Sequence, residues 1–521
     1  MKLKWVVNDS RGEIELERVN HITVEMNDET ITRSKAEMTV PMSEKVYFNG
    51  YQSWSWSPEY TDQDAIYPAR LPRVLVRRFA LDRYADYHFV KYERKKGIFH
   101  GFSYCYFRDG DKFKLFASLD EDPGYTIFRY SCKTNKLEIT RDCEGLKQNG
   151  SFHAFDLYYQ EGSEDEVFDG WFKELGIEPP HVKRLVGYSS WYNRYEAISE
   201  QTILEDLEGC KKVLIKGNLF QVDDGWEPTV GDWLEPDKTK FPNGMKSVCD
   251  KIHEQGYLAG IWLAPFVCTK KSEIYQKHQD WLLKVNGKNW LNGSNWGGFY
   301  SLDLDNPEVV KHIRKVFKRV FDEWGFDLVK LDFLYAAAPF PSKTRSRAGK
   351  MIDAMKLLRE VCKDKLILGC GVPLMPAFGL VDYCRIGCDV SLDWNDKRIM
   401  QYAHRERVST SHSIDNTLYR RQLNNRAWIN DPDVFFLRED NIELTAAEKK
   451  YLYSVGALMD GILLTSDNPA NYDEKKIKEF KEIVKLRESA KDVHLVHKKS
   501  GDLIVYTIDG EEKSLKIRKD I

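Results

Sequence analysis

The stretch Asn306–Phe333, NPEVVKHIRKVFKRVFDEWGFDLVKLDF, reads as an amphipathic helix running straight into a buried strand. Asn306 is a suitable N-cap, and Pro307 fits the first helical position, where no backbone N–H is missed. Val309, Ile313, Val316, Phe317, Val320 and Trp324 follow at i, i+3/i+4 spacing and form one apolar stripe. Gly325 then supplies the stop. Beyond it, Asp327–Phe333 is too short for a helix and apolar enough to be a strand buried on both faces. A helix that delivers the chain to such a strand is the unit of a parallel sheet.

The same alternation recurs on either side. Strand-like runs begin at Leu185 (LVGYSSW), Asn218 (NLFQVDD), Leu258 (LAGIWLA), Asp327 (DLVKLDF), Leu366 (LILGCG), Tyr383 (YCRIG), Ala427 (AWIND) and Gly461 (GILLTSD). Eight β-α units fit a (β/α)8 barrel better than a doubly wound sheet. No glycine-rich phosphate loop follows the first strand, which counts against a dinucleotide-binding fold. Before Pro179 and Pro180, segments such as HITVEMNDETITRSKAEMTV alternate apolar and polar residues, as strands with one buried face do. The end, SGDLIVYTIDGEEKSLKIR, alternates again around a turn at Asp509-Gly510. The expected architecture is therefore multidomain α/β plus β. It comprises an N-terminal β-sandwich (1–178), a central (β/α)8 TIM barrel (179–488) and a small C-terminal antiparallel β module (489–521).

Composition narrows the function. The 521 residues are 42% hydrophobic and 13% aromatic, ample for a large core, and the 14 tryptophans suit flat apolar faces that meet a partly polar partner. A net charge of -3 without a long basic tract argues against nucleic acid or an acidic membrane as partner. The first apolar run is broken by Asn8 and Asp9, no run is long enough to span a bilayer, and the ten cysteines lack framework spacing. The expectation is a soluble cytoplasmic protein with reduced thiols.

In a (β/α)8 barrel the chemistry gathers at the C-terminal strand ends. Polar residues fall there on strand after strand: Trp191, Tyr192 and Asn193; Asp223 and Asp224; Trp262; Lys330 and Asp332; Cys370; Arg385 and Asp389; Asn430 and Asp431; Asp467. Lys330 and Asp332 are two residues apart and share a face, with Asp332 nearer the mouth. A lysine beneath it would keep the carboxylate ionised, as a nucleophile at an anomeric carbon requires; a plain buried ion pair would have the same spacing. Asp389 is the best second carboxyl for proton donation, although pairing with Arg385 would depress its pKa. Asp223 and Asp224 could accept from sugar hydroxyls, bind a metal or shape a turn before Gly225. With Trp191, Trp226 and Trp262 nearby, sugar binding is the more economical reading. No His-Glu-x-x-His helix occurs, and Cys384 and Cys388 read as core thiols, so no metal is expected.

Taken together, VKLDFLY, QVDDGW, GIWLAPF, LGCG, the Arg-x-x-x-Asp of RIGCD, and WINDPD resemble the glycoside hydrolase family 36 α-galactosidases of compact bacterial type. With FNGYQSWSW in the β-domain, the resemblance covers nearly the whole chain. It implies retaining hydrolysis of terminal non-reducing α-D-galactosyl residues by double displacement, with Asp332 as nucleophile and Asp389 as acid/base. It further implies that Asp223 and Asp224 grip hydroxyls, that Lys330, Cys370 and Arg385 line the same subsite, and that Trp191, Tyr192 and Trp262 wall it. Trp54 would reach over the pocket. An oligosaccharide or glycoconjugate substrate is implied and no cofactor, and a homo-oligomer stays open. One departure is the DVSLDW at the acid/base position: the wall beside C2 of the sugar differs among relatives, and Cys370 suits a galactose with a free 2-hydroxyl but does not by itself exclude N-acetylgalactosamine. This leaves an α-N-acetylgalactosaminidase or a related α-glycosyl transferase as alternatives. A Schiff-base lyase using Lys330 is the reading from another class; the neighbouring Asp332 argues against it by keeping lysine protonated.

Overall fold

The computed structural model describes the chain except residues 396–398, 499–500 and 519–521. The opening stretch folds as its pattern requires. The helix runs Pro307–Lys318, and the Asn306 side chain accepts from the Glu308 N–H at 3.0 Å. Arg319–Trp324 then widens into a π-helical turn, which the pattern did not foretell, and Val320, Phe321 and Trp324 are all buried there. Gly325 ends it at φ 89°.

All eight predicted strands are present, parallel and in sequence order: Val186–Ser189, Leu219–Val222, Leu258–Leu263, Leu328–Leu331, Leu366–Gly369, Tyr383–Arg385, a split seventh strand, and Leu463–Thr465. The seventh is broken at Pro432 and Asp433, where φ reaches 77°. Ile429–Asp431 pairs with the sixth strand and Val434–Phe435 with the eighth. The Ile462 N–H donates to the Asn430 carbonyl at 2.9 Å across the junction, so the barrel closes on itself. After the third strand the chain makes a long excursion. It forms a small antiparallel sheet (Val267–Thr269, Leu291–Gly293, Phe299–Ser301) beside the barrel mouth.

Before the barrel stand two six-stranded antiparallel sheets. Their pleat explains the aromatic load. In Tyr104–Asp109, Cys105 and Phe107 pack into the sandwich interior with Phe48, Phe116 and Phe128. Tyr104 and Tyr106 point the other way, onto Tyr47, Phe168 and Trp171 in the core that continues into the barrel. Along Lys45–Phe48, Tyr104–Asp109 and most of Lys112–Ser118 that sheet is thus buried on both faces and welds the sandwich to the barrel, whereas Val19–Thr30 turns alternate residues to solvent. At the other end Lys491–Val496, Leu503–Ile508 and Glu511–Lys516 form an antiparallel sheet, turned at Asp509-Gly510 (φ 53° and 81°), and the chain continues past Arg518 outside the described residues. All ten cysteines are free, and nine are buried. No helix among the described residues is long and apolar enough to cross a membrane.

The link that matters for the site is the loop Asn49–Ser57, which leaves the sandwich and lies against the barrel. Ser53 exchanges hydrogen bonds with Val372, its N–H reaching the Val372 carbonyl at 2.9 Å. Arg420, fully buried, spreads its guanidinium over Asn49 Oδ1, the Gln52 and Ser53 carbonyls, Ser57 Oγ and the Ile386 carbonyl. A planar fork of five donors suits that set, and lysine cannot replace it. Arg420→Ala orphans several buried acceptors at about 1–3 kcal/mol each. The expected result is a loss on the order of 3–5 kcal/mol in urea unfolding, which Arg420→Lys does not restore.

Candidate active site

A cavity of about 520 Å³ opens at the C-terminal ends of the barrel strands. Its floor holds Asp223, Asp224, Lys330 and Asp332, its side Asp389, and its walls Trp54, Trp191, Trp262 and Trp296. That size falls within the range of small-molecule sites.

Asp332 follows the fourth strand. Trp262 Nε1 donates to its Oδ2 at 3.1 Å, and the Phe333 N–H donates to its Oδ1 at 2.9 Å. Phe333 adopts φ 54°, uncommon for an aromatic residue, and this bend lets the backbone fold onto its own neighbour's carboxylate. The Trp262 ring is fixed in turn by edge contacts with Trp233 and Trp296, at 5.7 and 6.0 Å between centroids.

Lys330 does not sit on Asp332, as its place in the strand suggested. Its Nζ donates to Asp223 Oδ2 at 2.9 Å, across to the second strand. Both side chains are buried. Gln221 Nε2 (2.8 Å) and Ser189 Oγ (3.2 Å) donate to the same oxygen. Burial opposes the lysine charge, but Asp223 outweighs it and raises the ammonium well above its ordinary pKa. A lysine so held is a poor amine nucleophile.

Asp389 meets Arg385 after all, Nη1 to Oδ1 at 2.7 Å. The guanidinium is shared, however. Its Nε also donates to Asp431 at 3.0 Å, and its Nη2 lies 2.8 Å from Asp433. Three carboxyls draw on one cation. Burial pushes the Asp389 carboxyl up against the pull of Arg385 and Lys330, and the net direction is upward. Burial also lifts Asp433, to about 7, while Tyr192 donates to it at 2.5 Å and the Val390 N–H at 2.9 Å.

Of the residues singled out in the sequence, Trp54, Trp191, Asp223, Asp224, Trp262, Lys330, Asp332 and Asp389 line one cavity. Tyr192, Cys370 and Arg385 are buried behind it: Tyr192 on Asp433, Arg385 among three aspartates, and Cys370 beneath Trp54, whose Nε1 donates to the sulfur at 3.3 Å. Next to Cys370, Gly371 has φ 58°, and a Cβ there would lie 2.8 Å from the Trp54 ring, so only glycine lets the indole reach this place. The polar ends of the last two strands serve the scaffold. Asn430 donates to the Arg420 carbonyl at 3.1 Å, and Asp467 accepts from the Leu437 and Arg438 N–H groups and from Tyr472.

Several lining residues escaped the sequence reading. Trp296, at φ 54° in the excursion after the third strand, donates to Asp224 Oδ2 at 2.8 Å. Tyr84 stacks on His404 at 4.9 Å, and Glu406 accepts from Ser55 and Tyr87, each at 2.6 Å. Tyr84, His404, Glu406, Arg407 and Val408 form the outer wall. The glycines around Trp296, in GSNWGGF, were the available signal for the first of these.

Comparison with known proteins agrees with this geometry. The Melibiase family model matches residues 181–355, which include Asp223, Asp224, Lys330 and Asp332. The α-galactosidase of Thermus thermophilus, solved with p-nitrophenyl α-D-galactopyranoside, superposes with a TM-score of 0.75 at 26% identity, over 95% of this chain and 98% of its own. The chain is similar to α-galactosidases. A curated α-galactosidase, Mel36A of Lactobacillus acidophilus, is 30% identical over 256 residues, which is 45% of this chain. The match spans about a third (32%) of that relative's length. The family 36 α-galactosidase AgaA of Geobacillus stearothermophilus shares the fold, with a TM-score of 0.62 at 13% identity over 94% of this chain and 70% of its own. The likeness of fold to these solved α-galactosidases therefore extends through sandwich and barrel alike.

Proposed function

We propose that the chain is a retaining α-galactosidase that hydrolyses terminal non-reducing α-D-galactosyl residues of oligosaccharides or glycoconjugates in the cytoplasm. The observation that carries this reading is that Asp332 and Asp389 line one indole-walled cavity together with Asp223 and Asp224. In the first step Asp332 attacks the anomeric carbon as Asp389 gives its proton to the leaving oxygen, and the glycosidic bond breaks. In the second, Asp389 takes a proton from water, whose oxygen displaces Asp332 from the same carbon and restores the α configuration. Trp262 Nε1 and the Phe333 N–H hold the attacking carboxylate in orientation. Asp223, Asp224 and Lys330 offer acceptors and a cation to the sugar hydroxyls, and an epimer that misplaces one hydroxyl leaves a buried polar group unpaired. Arg385, Cys370 and Tyr192 act from behind, the first by sharing its charge among three aspartates.

A panel of chromogenic α-galactoside, α-N-acetylgalactosaminide and α-glucoside tests the reading. The galactoside is expected to exceed the glucoside in kcat/KM by on the order of 10²–10⁴-fold. α-Galactose should be the first anomer seen by NMR. Preference for the N-acetylgalactosaminide or the glucoside, or first release of β-galactose, overturns it.

A further inference from the structure

In a retaining glycosidase the acid protonates the leaving oxygen, so the leaving group lies beside that acid. Here the neighbour of Asp389 is the segment 404–409. The Ser409 N–H donates to the Asp389 carbonyl at 2.9 Å, and Thr410 Oγ1 donates to the Ser391 carbonyl at 3.0 Å. From this segment His404, Glu406, Arg407 and Val408 line the cavity.

The sandwich holds this segment rigid. Arg405, buried, donates through Nη2 to the Trp56 carbonyl at 2.6 Å, and its backbone N–H donates to the Tyr87 hydroxyl at 2.9 Å. Glu406 accepts from that same hydroxyl and from Ser55. Burial works against the Glu406 charge, but His404, Arg405 and Ser55 outweigh it and keep the carboxyl below its ordinary range. His404 is fixed on two sides: its ring stacks on Tyr84 at 4.9 Å and 9° between planes, and Nδ1 lies 3.4 Å from Glu406 Oε2. Tyr84 is set in turn by the Ser294 N–H, which donates to its hydroxyl at 2.9 Å. A carboxylate favours the proton on the ring nitrogen nearest it, which leaves Nε2 of a neutral imidazole as an acceptor. Among the described residues Nε2 has no protein partner, and the ring it belongs to lines the cavity. Val408, 50% exposed, adds an apolar side chain to the same wall.

We propose that His404 and Val408 form the leaving-group subsite and that it takes a second pyranose, with His404 Nε2 accepting from a hydroxyl of the leaving sugar and Val408 covering its C–H face. This rests on the α-galactosidase reading and narrows its substrate class to galactosyl oligosaccharides, since an apolar alcohol or aryl group offers His404 nothing to accept. A site held in place before the ligand arrives loses little in ordering on binding, so the hydrogen bond shows in kcat/KM.

The test is kcat/KM for the wild type, His404→Phe and His404→Ala on an aryl α-galactoside and on α-galactosyl-hexose disaccharides of 1→3, 1→4 and 1→6 linkage. His404→Phe keeps a flat ring on Tyr84 and removes the nitrogens. With the disaccharide that the wild type cleaves best, both variants are expected to lose on the order of tenfold, the worth of one hydrogen bond. The aryl galactoside, whose leaving ring carries no hydroxyl, should lose several-fold less. The inhibition constant of free galactose, which fills only the galactosyl side, should move by less than about twofold. Equal losses on disaccharide and aryl galactoside, together with weaker galactose inhibition, would make His404 a structural prop and overturn the inference. An unchanged disaccharide kcat/KM in His404→Phe would overturn it as well. A wild type that cleaves the aryl galactoside but none of the disaccharides also overturns it and leaves the α-galactosidase reading standing. A wild type that cleaves no α-galactoside brings down that reading, and the inference with it.

Discussion

Asp332→Gly is expected to lower kcat/KM on an aryl α-galactoside by on the order of 10⁴–10⁶-fold, the scale seen when an enzyme loses its nucleophile. The cause is local. Asp332 is the cavity carboxylate whose two oxygens are held in orientation by an indole and a backbone N–H. Removal of the side chain leaves space at the face opposite the leaving group. Added azide or formate should enter it, restore part of the turnover and, for azide, yield the β-galactosyl azide. Wild-type melting behaviour would show that the fold survives. Near-normal turnover in this variant, or azide rescue giving the α-azide, would remove Asp332 from the nucleophile's role.

Asp389→Ala should cost about 10²–10⁴-fold in kcat/KM on substrates whose leaving group needs a proton, and much less on dinitrophenyl galactosides, which leave unaided. With the activated substrate the galactosyl-enzyme should accumulate as a burst, because the variant has no base for water. The pH dependence follows from the site. Burial holds the Asp389 carboxyl above the ordinary aspartate range despite Arg385. If Asp389 is the acid, kcat/KM is expected to fall as pH rises through a pKa above that of an ordinary aspartate. Asp389→Ala should abolish that alkaline limb. A variant that keeps the limb, or that loses equally on good and poor leaving groups, would point to another acid.

Much of this was legible because the signals are local. The 3.6-residue stripe from Val309 to Trp324, the cap at Asn306 and the stop at Gly325 are set by neighbours in the chain, and all of them appear in the structure. The eight strands could be read for the same reason: a strand covered on both faces needs an unbroken apolar run, and a parallel neighbour needs a long crossover, usually a helix. Between the fifth and sixth strands, however, only the 3₁₀ turn Met375–Ala377 stands. The polar residues that interrupt such runs at their ends marked the cavity, since a barrel leaves its C-terminal strand ends open. Partners across the barrel were not legible. Lys330 lies nearest Asp332 along the strand, yet the adjacent second strand brings Asp223 to it at 2.9 Å. Arg385 likewise looked like a partner for Asp389 alone. Only the split seventh strand, with Asp433 at φ 77°, adds the two carboxyls that divide its charge.

Period and punctuation in the chain alone determined the barrel, the antiparallel sheets flanking it and the strand ends where carboxylates stand, because secondary structure answers to residues a few positions apart. Tertiary structure alone decided who pairs with whom. It seats Trp54 over Cys370, 316 residues away, brings Trp296 to Asp224 from 72 residues away, and spreads Arg420 beneath the loop that carries Trp54. Such contacts depend on how closed sheets pack against one another, and no short-range pattern in the chain records that packing.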